Sequence, residues 1–342
     1  MHDLAIIAVS TNESHWIRAM LPTVREHIGD IAADVVIVDN DSHDGVADMV
    51  ANEFPWARTV WSANHGFGHA NNRGVMTCNA RYVLFLNPDT EILSGTFADM
   101  VRLMDERPQV GLAGCRQIDD EGDLSITSRY FPNALRALGD AISAERISPR
   151  RPRWLGEREL DAQAYDREFA CDWTTGSYML VRREALESAG YFDERFFMYA
   201  EEIDLCRRIK AAGWEIRHLP QMTILHRVFK GGVSPKVESL VAATRMMYAR
   251  KHFSGGHRVV YGGALMLRHL LRCVYSGSGE TGLQKRAAAR QVVATMLGQR
   301  PVPYADITCP VAVLTGEREL RDAQIAGRGD TPARELVGGR ER

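Results

Sequence analysis

The sequence predicts an α/β protein whose core is a Rossmann-like, mostly parallel β-sheet flanked by helices. Apolar runs without polar alternation, at residues 4–9, 35–38 and 82–86, have the composition of strands that are buried on both faces. Segments with helical periodicity separate these runs, and strands that alternate with helices imply right-handed βαβ crossovers. Each run ends abruptly in polar residues. Ligand-binding side chains are therefore expected at the carboxyl-terminal edge of the sheet.

The other elements follow in chain order. Strands are predicted at residues 4–9, 34–40, 58–61, 82–86, 110–114, 178–181 and 223–227. Helices are predicted at residues 16–28, 46–53, 75–79, 96–107 and 183–189, and from about residue 201 to a stop at residue 213. Ser94 is the expected cap of the helix that starts at residue 96. The pattern weakens between residues 119 and 167, which is typical of a functional lid or a disordered region.

Composition limits the class of protein. Of the 342 residues, 45% are hydrophobic and 25% are charged, as in soluble globular proteins. The net charge of −2 gives no argument for nucleic-acid binding. The six cysteines are scattered without zinc-like spacing, which fits a reduced, intracellular setting. With no visible signal peptide and no apolar run long enough to span a bilayer, a cytoplasmic protein is expected.

Polar residues follow four separate predicted strands. Pro88 ends the strand at residues 82–86, so that Asp89 is placed at its carboxyl end, and Thr11, Asp39 and Asn64 occupy equivalent positions. A carboxylate there suits Mg²⁺ or Mn²⁺ bound to a nucleotide diphosphate. The alternative for the Asn-Pro-Asp-Thr segment is a turn followed by a helix cap. Four converging residues, however, predict a pocket.

Two further motifs lie downstream. Glu201, Glu202 and Asp204 stand where an aromatic segment meets a helix. They either complement the helix dipole or, beside an apolar wall, provide a general base with a raised pKa. His226 ends a strand before a basic, glycine-rich segment, which suits contact with a metal or phosphate, although a lone histidine is usually structural.

The combined motifs resemble those of inverting family 2 glycosyltransferases, and within them bacterial rhamnosyltransferases. They read VDNDSHDG, NHGFGHANNRG, LNPDT, WTTGSYMLVRRE and GYFDERFFMYAEEIDLCRR, followed by the strand-end histidine. The resemblance covers about residues 4–235 and implies a GT-A catalytic domain at 1–235, with a nucleotide-binding half (1–90) and an acceptor and catalytic half (91–235). A C-terminal helical region (236–315) and a disordered tail (316–342) are expected to follow. The segment SRYFP at 128–132 also resembles the acceptor side of rhamnosyltransferases that use polyprenyl-diphosphate-linked sugars.

The resemblance assigns eight residues to the donor nucleotide: Thr11, Asp39, Asn64, Gly66, Asn71, Asn87, Asp89 and Arg227. The first two are expected at the base, and Asn64 and the glycine-rich segment near ribose and phosphate. Asp89 and His226 are the expected ligands of Mg²⁺ or Mn²⁺. The family's metal motif is usually Asp-x-Asp, whereas this chain has Asn87 at the first position. An amide brings no charge, so metal affinity is expected to depend on Asp89 and His226.

The resemblance also assigns catalytic and acceptor roles. Glu202 is the expected base, with Glu201 and Asp204 as rivals, because the family more often has Asp after a Glu at this position. Trp173 and Gly176 are expected to line the acceptor and donor-sugar site.

The implied reaction is inverting, metal-dependent transfer of a sugar in cell-envelope polysaccharide synthesis. The favoured donor is dTDP-rhamnose, and the acceptor is a saccharide or lipid-linked saccharide. UDP-hexose or UDP-galactofuranose donors are alternatives, as is a non-catalytic protein that binds nucleotide sugars. A nucleotidyltransferase is disfavoured, because Ser10-Thr11-Asn12-Glu13 stands where its phosphate loop would lie. The apolar and basic helix predicted near residues 264–275 either contacts the inner face of the membrane or packs on the catalytic domain or another subunit.

Overall fold

A nine-stranded mixed sheet forms the centre of the protein in a computed structural model, which describes residues 1–142, 152–227, 234–275 and 280–303. The strands of the described chain are β1 (His2–Ser10), β2 (Ala33–Asn40), β3 (Arg58–Ser62), β4 (Ala80–Leu86), β5 (Thr90–Ser94), β6 (Val110–Ile118), β7 (Ser128–Arg129), β8 (Phe169–Ala170), β9 (Trp173–Thr174), β10 (Tyr178–Arg182) and β11 (Glu215–His226). β7 and β9 form a separate two-stranded sheet.

The order of the strands brings four carboxyl ends together. The central sheet runs β3-β2-β1-β4-β10-β6-β11-β5, with β8 beside β11. The first four strands are parallel neighbours, β6 and β11 run in the same direction, and β10, β5 and β8 run against it. Six of the nine strands therefore share one direction, and β1 to β4 end at the edge where open α/β sheets bind ligands.

Helices cover both faces of the sheet. They are α1 (Ser14–Glu26), α2 (Val46–Glu53), α3 (Phe67–Met76), α4 (Phe97–Asp105), α5 (Ala134–Ala141), α6 (Arg183–Ala189), α7 (Glu201–Ala211), α8 (Pro235–His252), α9 (Gly255–Tyr275) and α10 (Glu280–Met296). Alternate residues of β1 point to opposite faces, as the period of a strand requires. Leu4 and Ile6 pack with residues of α1, α2 and α4, whereas Ile7 and Val9 pack with residues of α3, α6 and α7. Both faces are therefore core, as the unbroken apolar runs predict.

One predicted helix in the first 90 residues is wrong. The pattern predicts it at residues 75–79, but α3 begins at Phe67 and ends at Met76. The glycines and asparagines of this segment are weak helix formers. Packing outweighs that preference: a Cβ added at Gly74 would lie only 2.7 Å from Cγ2 of Ile7, so glycine allows α3 to approach the sheet closely.

The predicted cap of α4 is also wrong. Ser94 is the last residue of β5, and Thr96 caps the helix, because its Oγ1 accepts a hydrogen bond from the backbone N–H of Asp99 at 3.0 Å. Thr90 begins β5, so the Asn-Pro-Asp-Thr turn leads into a strand and not into a helix.

The segment with weak periodicity contains regular structure where it is described. β7, α5 and two 3₁₀ turns (Arg153–Leu155 and Ala162–Asp166) lie within it. After the sheet, α8, α9 and α10 lie in the described part of the C-terminal region for which the sequence predicts helices. The tail predicted at 316–342 lies outside the described residues. In the described parts of the chain, every helix is too short or too polar to cross a bilayer.

Candidate active site

A cavity of about 690 Å³ opens at the carboxyl-terminal edge of the sheet. This volume is in the range of small-molecule sites, roughly 300–1,000 Å³. Ten of the residues predicted for the site line it: Thr11, Asn64, Gly66, Asn87, Asp89, Trp173, Gly176, Glu201, Glu202 and His226. The fold therefore gathers at one cavity residues that are up to 215 positions apart in the chain, as Thr11 and His226 are.

The Asn-Pro-Asp turn is fixed by hydrogen bonds at both ends. The backbone N–H of Asn87 donates to the carbonyl of Ser177 at 3.1 Å, and the Thr90 hydroxyl donates to the carbonyl of Asn87 at 2.7 Å. β5 then pairs with β11 in a register that sets Thr90 opposite His226. As a result, Nε2 of His226 lies 3.5 Å from Oδ1 of Asp89.

The surroundings of Asp89 fit a hard divalent cation. Oδ1 of Asp89 is buried and has no hydrogen-bond partner, and the histidine nitrogen beside it can serve as a second ligand. Glu13 also lines the cavity. Burial raises the pKa of the Glu13 carboxyl, and the nearby charge of Asp89 raises it further. Asp89 and Glu13 thus bring two carboxyl groups to the part of the chain where a cation would bind.

Asn40, which is not among the residues predicted from the sequence, organises the floor of the cavity. Its Nδ2 donates to Oγ1 of Thr11 and to Oδ1 of Asn64, both at 3.1 Å. Oδ1 of Asn40 is buried without a partner and therefore remains available as an acceptor. Asp39, its neighbour in β2, is not one of the described residues that line the cavity. Its Oδ1 accepts from the backbone N–H of Ser42 at 2.9 Å, and its role at the base stays a prediction.

Gly66 packs against the backbone that leads into α7. It has φ +105°, and an added Cβ would lie 2.1 Å from the carbonyl oxygen of Phe197, so a larger residue would collide with that backbone. The N–H of Phe67 donates to the same oxygen at 2.9 Å. Tyr199 and Ala200, which follow, both have left-handed backbone conformations, with φ of 69° and 68°. Such strain is typical of functional sites and here sets the start of α7.

The two glutamates at the start of α7 differ electrostatically. Glu201 is 5% exposed, and burial together with the neighbouring charge of Glu202 raises its pKa well above the ordinary value. Burial also raises the pKa of Glu202, but the guanidinium groups of Arg245 and Arg129 counteract part of that increase. Oε2 of each glutamate is buried without a hydrogen-bond partner. Glu202 is therefore the one better able to be ionised and to accept a proton.

Three other predicted residues lie away from the cavity lining. Asp204 is fully buried, and its carboxylate accepts hydrogen bonds from Arg208 and Lys251 and lies 2.6 Å from Nε2 of His252. This arrangement indicates a structural role and leaves the carboxylate no access to substrate. Asn71 donates to the carbonyl of Phe67 within α3 at 2.9 Å. The guanidinium of Arg227 is 2.7 Å from Glu91 and stacks 5.2 Å from the ring centroid of Trp16.

Two arginines on separate elements complete the wall next to Glu202. Arg129 of β7 pairs with Trp173 of β9, and its guanidinium lies 5.0 Å from the tryptophan ring centroid. Arg245 of α8 makes bonds of 2.7 and 2.6 Å to the carboxylate of Glu157. Gly176 faces the cavity, and an added Cβ would meet only Phe67, at an ordinary 3.6 Å. Trp173, Gly176 and the arginines form a mixed apolar and basic wall.

The arginine wall predicts a pH effect. Arg129→Gln removes a cation that lowers the pKa of Glu202, so that pKa is expected to rise. As the base predicted from the sequence, Glu202 must be ionised, so activity is expected to be lost as the pH falls through its pKa, and the acidic limb of the pH profile of kcat/KM should move to higher pH. At pH values well above the acidic limb, Glu202 is ionised in both the variant and the wild type, so the loss of activity that comes from its protonation should vanish. Arg102→Gln, an exposed arginine of α4, is the control. A limb that stays in place or moves to lower pH would contradict the arrangement.

Comparison with known proteins identifies the family. The model for glycosyl transferase family 2 matches residues 5–189, and the chain belongs to that family. An N-acetylglucosaminyl-diphospho-decaprenol L-rhamnosyltransferase of Mycobacterium tuberculosis is 31% identical over 204 residues, 56% of this chain and 66% of that protein. The rhamnosyltransferase WbbL of Escherichia coli is 24% identical over 229 residues, 65% of this chain and 82% of that protein. The chain thus spans just under two thirds of the mycobacterial relative. The resemblance predicted from the motifs is confirmed.

Solved structures confirm the GT-A fold. Residues 1–349 of Staphylococcus aureus TarS match with a TM-score of 0.52 at 15% identity, covering 94% of this chain and 92% of that one. GalNAc-T7 in a crystal with UDP, GalNAc and Mn²⁺ matches with a TM-score of 0.57 at 10% identity, covering 95% of this chain and 58% of that one. At these identities the likeness establishes the architecture and nothing finer.

Proposed function

We propose that the protein transfers a sugar from a nucleoside diphosphate donor to a hydroxyl of a saccharide acceptor, with inversion at the anomeric carbon. The observation that carries this proposal is a single cavity lined by Asp89 and His226, whose side chains lie 3.5 Å apart, and by Glu202, whose Oε2 is buried. The favoured donor is dTDP-rhamnose, because two relatives carry rhamnosyltransferase in their names. The family membership makes glycosyl transfer the expected chemistry.

The donor nucleotide is expected along the ends of β1 to β4. The buried acceptor Oδ1 of Asn40 suits an N–H of a pyrimidine base, and the amides of Asn64 and Asn87 suit ribose hydroxyls. Asp89 and His226 would hold Mg²⁺ or Mn²⁺, which supplies charge neutralisation for the leaving diphosphate. Asn87 adds a neutral amide, so this chain offers one carboxylate in its Asn-Pro-Asp turn.

Glu202 acts as the general base. Its carboxylate accepts the proton of the acceptor hydroxyl while the hydroxyl oxygen attacks the anomeric carbon. The bond from that carbon to the diphosphate oxygen breaks, and its electron pair leaves with the nucleoside diphosphate. The buried Glu201 has the higher tendency to stay protonated, so it keeps the site from carrying two adjacent negative charges. Trp173 and Gly176 border the space left for the acceptor.

The acceptor is proposed to be lipid-linked, because the mycobacterial relative is named for a diphospho-decaprenol substrate. Such an acceptor would bring the protein to the inner face of the membrane from the cytoplasm. The catalytic domain is proposed to comprise residues 1–235, with the C-terminal region of residues 236–315 as the part that contacts the membrane or a second copy of the chain.

A thermal-shift screen of nucleoside diphosphates with and without Mn²⁺ tests the donor site. A ligand that binds only the native state at 100 times its Kd stabilises it by about 2.7 kcal/mol. We expect dTDP with Mn²⁺ to raise the Tm by several degrees and dTDP without the ion to raise it less. A larger shift with UDP would point to a UDP-hexose or UDP-galactofuranose donor. A shift by nucleotides without transfer to any acceptor would favour a non-catalytic binding protein, and no shift by any nucleotide would contradict the proposal.

A further inference from the structure

A second cavity, of about 380 Å³, adjoins the first between α5, α8 and α9. The two cavities share Arg129, Val241 and Arg245 as lining residues, so they adjoin at these side chains. None of the sequence motifs falls on its α9 side, and the family match ends at residue 189, before α8 and α9 begin. The residues that α8 and α9 contribute to this cavity therefore lie outside the matched region.

The wall of this second cavity is strongly basic. Five arginines line it together with three carboxylates, Asp140, Glu157 and Glu238, which leaves two positive charges in excess among the described lining residues. Two of the arginines are neutralised by close pairs: Arg245 with Glu157 at 2.6 Å and Arg272 with Glu238 at 2.9 Å. Arg268, on the exposed side of α9, makes no described ion pair.

Buried polar atoms without partners face the same region. His269 is 8% exposed, and its Nδ1 has no hydrogen-bond partner. Burial, with the charges of Arg268 and Arg272, lowers the pKa of His269 to about 4, so the ring is neutral at physiological pH. The Nε of Arg129 is likewise buried without a partner. Because buried polar groups are nearly always hydrogen-bonded, these two atoms are suited to bond with a ligand in the cavity.

We propose that the second cavity binds the diphosphate of a diphosphate-linked acceptor. Guanidinium groups form charge-assisted, forked hydrogen bonds with phosphate oxygens, and an acceptor diphosphate carries the two negative charges that the wall lacks. The shared residues Arg129 and Arg245 would let the diphosphate lie here while the attached sugar extends into the first cavity towards Glu202. This inference rests on the proposed function, which it deepens by assigning the acceptor's anionic group to a site.

The outer surface of α5 suits the lipid part of such an acceptor. α5 lines the second cavity through Ala137 and Asp140. Its surface carries three exposed apolar residues at a spacing of three and four, which places them on one helical face. They are Leu135, Leu138 and Ile142, which are 57%, 42% and 46% exposed. An apolar stripe next to a basic cavity matches a molecule that carries a diphosphate on a prenyl chain.

Binding of two soluble compounds tests the site without requiring turnover. One is N-acetylglucosamine linked through a diphosphate to a short prenyl chain, and the other is an uncharged alkyl glycoside of the same sugar. The full chain is first saturated with a nucleoside diphosphate and Mn²⁺, so that the donor site is filled, and calorimetry then gives the Kd of each compound. A charge-assisted hydrogen bond contributes roughly 1.5–3 kcal/mol, which is about 10-fold or more in Kd.

Arg268→Gln should therefore raise the Kd of the diphosphate compound about 10-fold and leave that of the alkyl glycoside unchanged. Arg258→Gln, on α9 but not among the residues that line the cavity, is the matched control and should change neither. Because Arg268 is exposed, an unchanged Tm is expected for its variant. If Arg268→Gln and Arg258→Gln bind the diphosphate compound with equal Kd, the proposal is overturned. If Arg268→Gln weakens binding to phosphatidylglycerol vesicles but leaves the Kd of the soluble diphosphate compound unchanged, the cavity binds lipid headgroups. That result would also overturn the proposal.

The same compounds separate the two proposals. If the protein transfers sugar but uses both acceptors with equal KM, the diphosphate site is wrong and the proposed function stands. If no donor gives transfer while binding of the diphosphate compound still depends on Arg268, the diphosphate site stands and the proposed function fails.

Discussion

Glu202→Gln is expected to lower kcat by about 10²–10⁴-fold, the usual contribution of a positioned general base. Glutamine has nearly the same shape as glutamate but cannot accept a proton at neutral pH. The donor site, formed by the strand ends and Asp89, should remain intact. Transfer measured at saturating donor, with donor affinity from calorimetry, should therefore show a loss confined to turnover.

Glu201→Gln is the matched control for this change. Glu201 adjoins Glu202 in α7, but its burial favours the protonated form, which glutamine imitates. The Glu201→Gln variant should keep most of the wild-type kcat. If Glu202→Gln turns over like the wild type, or if Glu201→Gln shows the larger loss, the assignment of the base is wrong.

Asp89→Asn is expected to remove metal-dependent donor binding and to lower kcat/KM by at least about 10²–10³-fold, the range for loss of one electrostatic stabiliser in a transition state. The variant would leave the turn with two neutral amides, at positions 87 and 89, so that His226 alone would hold the ion. The Kd of the donor, measured with Mn²⁺ and with EDTA, should differ strongly for the wild type and little for the variant.

Asp48→Asn, an exposed carboxylate on α2, is the control for the loss of a charge elsewhere. It should keep metal-dependent binding and activity. EDTA should abolish transfer by the wild type, and Mg²⁺ or Mn²⁺ should restore it. Full activity of the wild type in chelator would remove Asp89 and His226 from this role.

The sequence predicts the sheet and its polar edge because buried strands have a distinctive composition. Residues 82–86 form an unbroken apolar run, and Pro88 must end it, so the position of Asp89 follows directly. The helix of residues 67–76 could not be placed in the same way, because its glycines and asparagines disfavour a helix locally. Packing against distant parts of the chain, including the approach of Gly74 to Ile7 and Val38, favours the helix instead.

Which individual side chains line the cavity could not be predicted from the local sequence, because it depends on the folded arrangement of the chain. Asp39 and Asn40 are adjacent and both polar, but successive side chains of a strand point to opposite faces, and only Asn40 lines the cavity. Arg129 and Arg245 come from β7 and α8, which are joined to the site by tertiary packing alone. Their effect on Glu202 becomes visible only once the chain is folded.

The anomeric configuration of the product tests the central account most directly. Purified protein is given a nucleotide sugar of known configuration, Mn²⁺ and the diphosphate-linked acceptor, and the product is examined by NMR before it can equilibrate. A single displacement assisted by one base, Glu202, predicts a product whose configuration is opposite to that of the donor. A product that retains the donor configuration would require two displacements or a different mechanism, and would contradict the account.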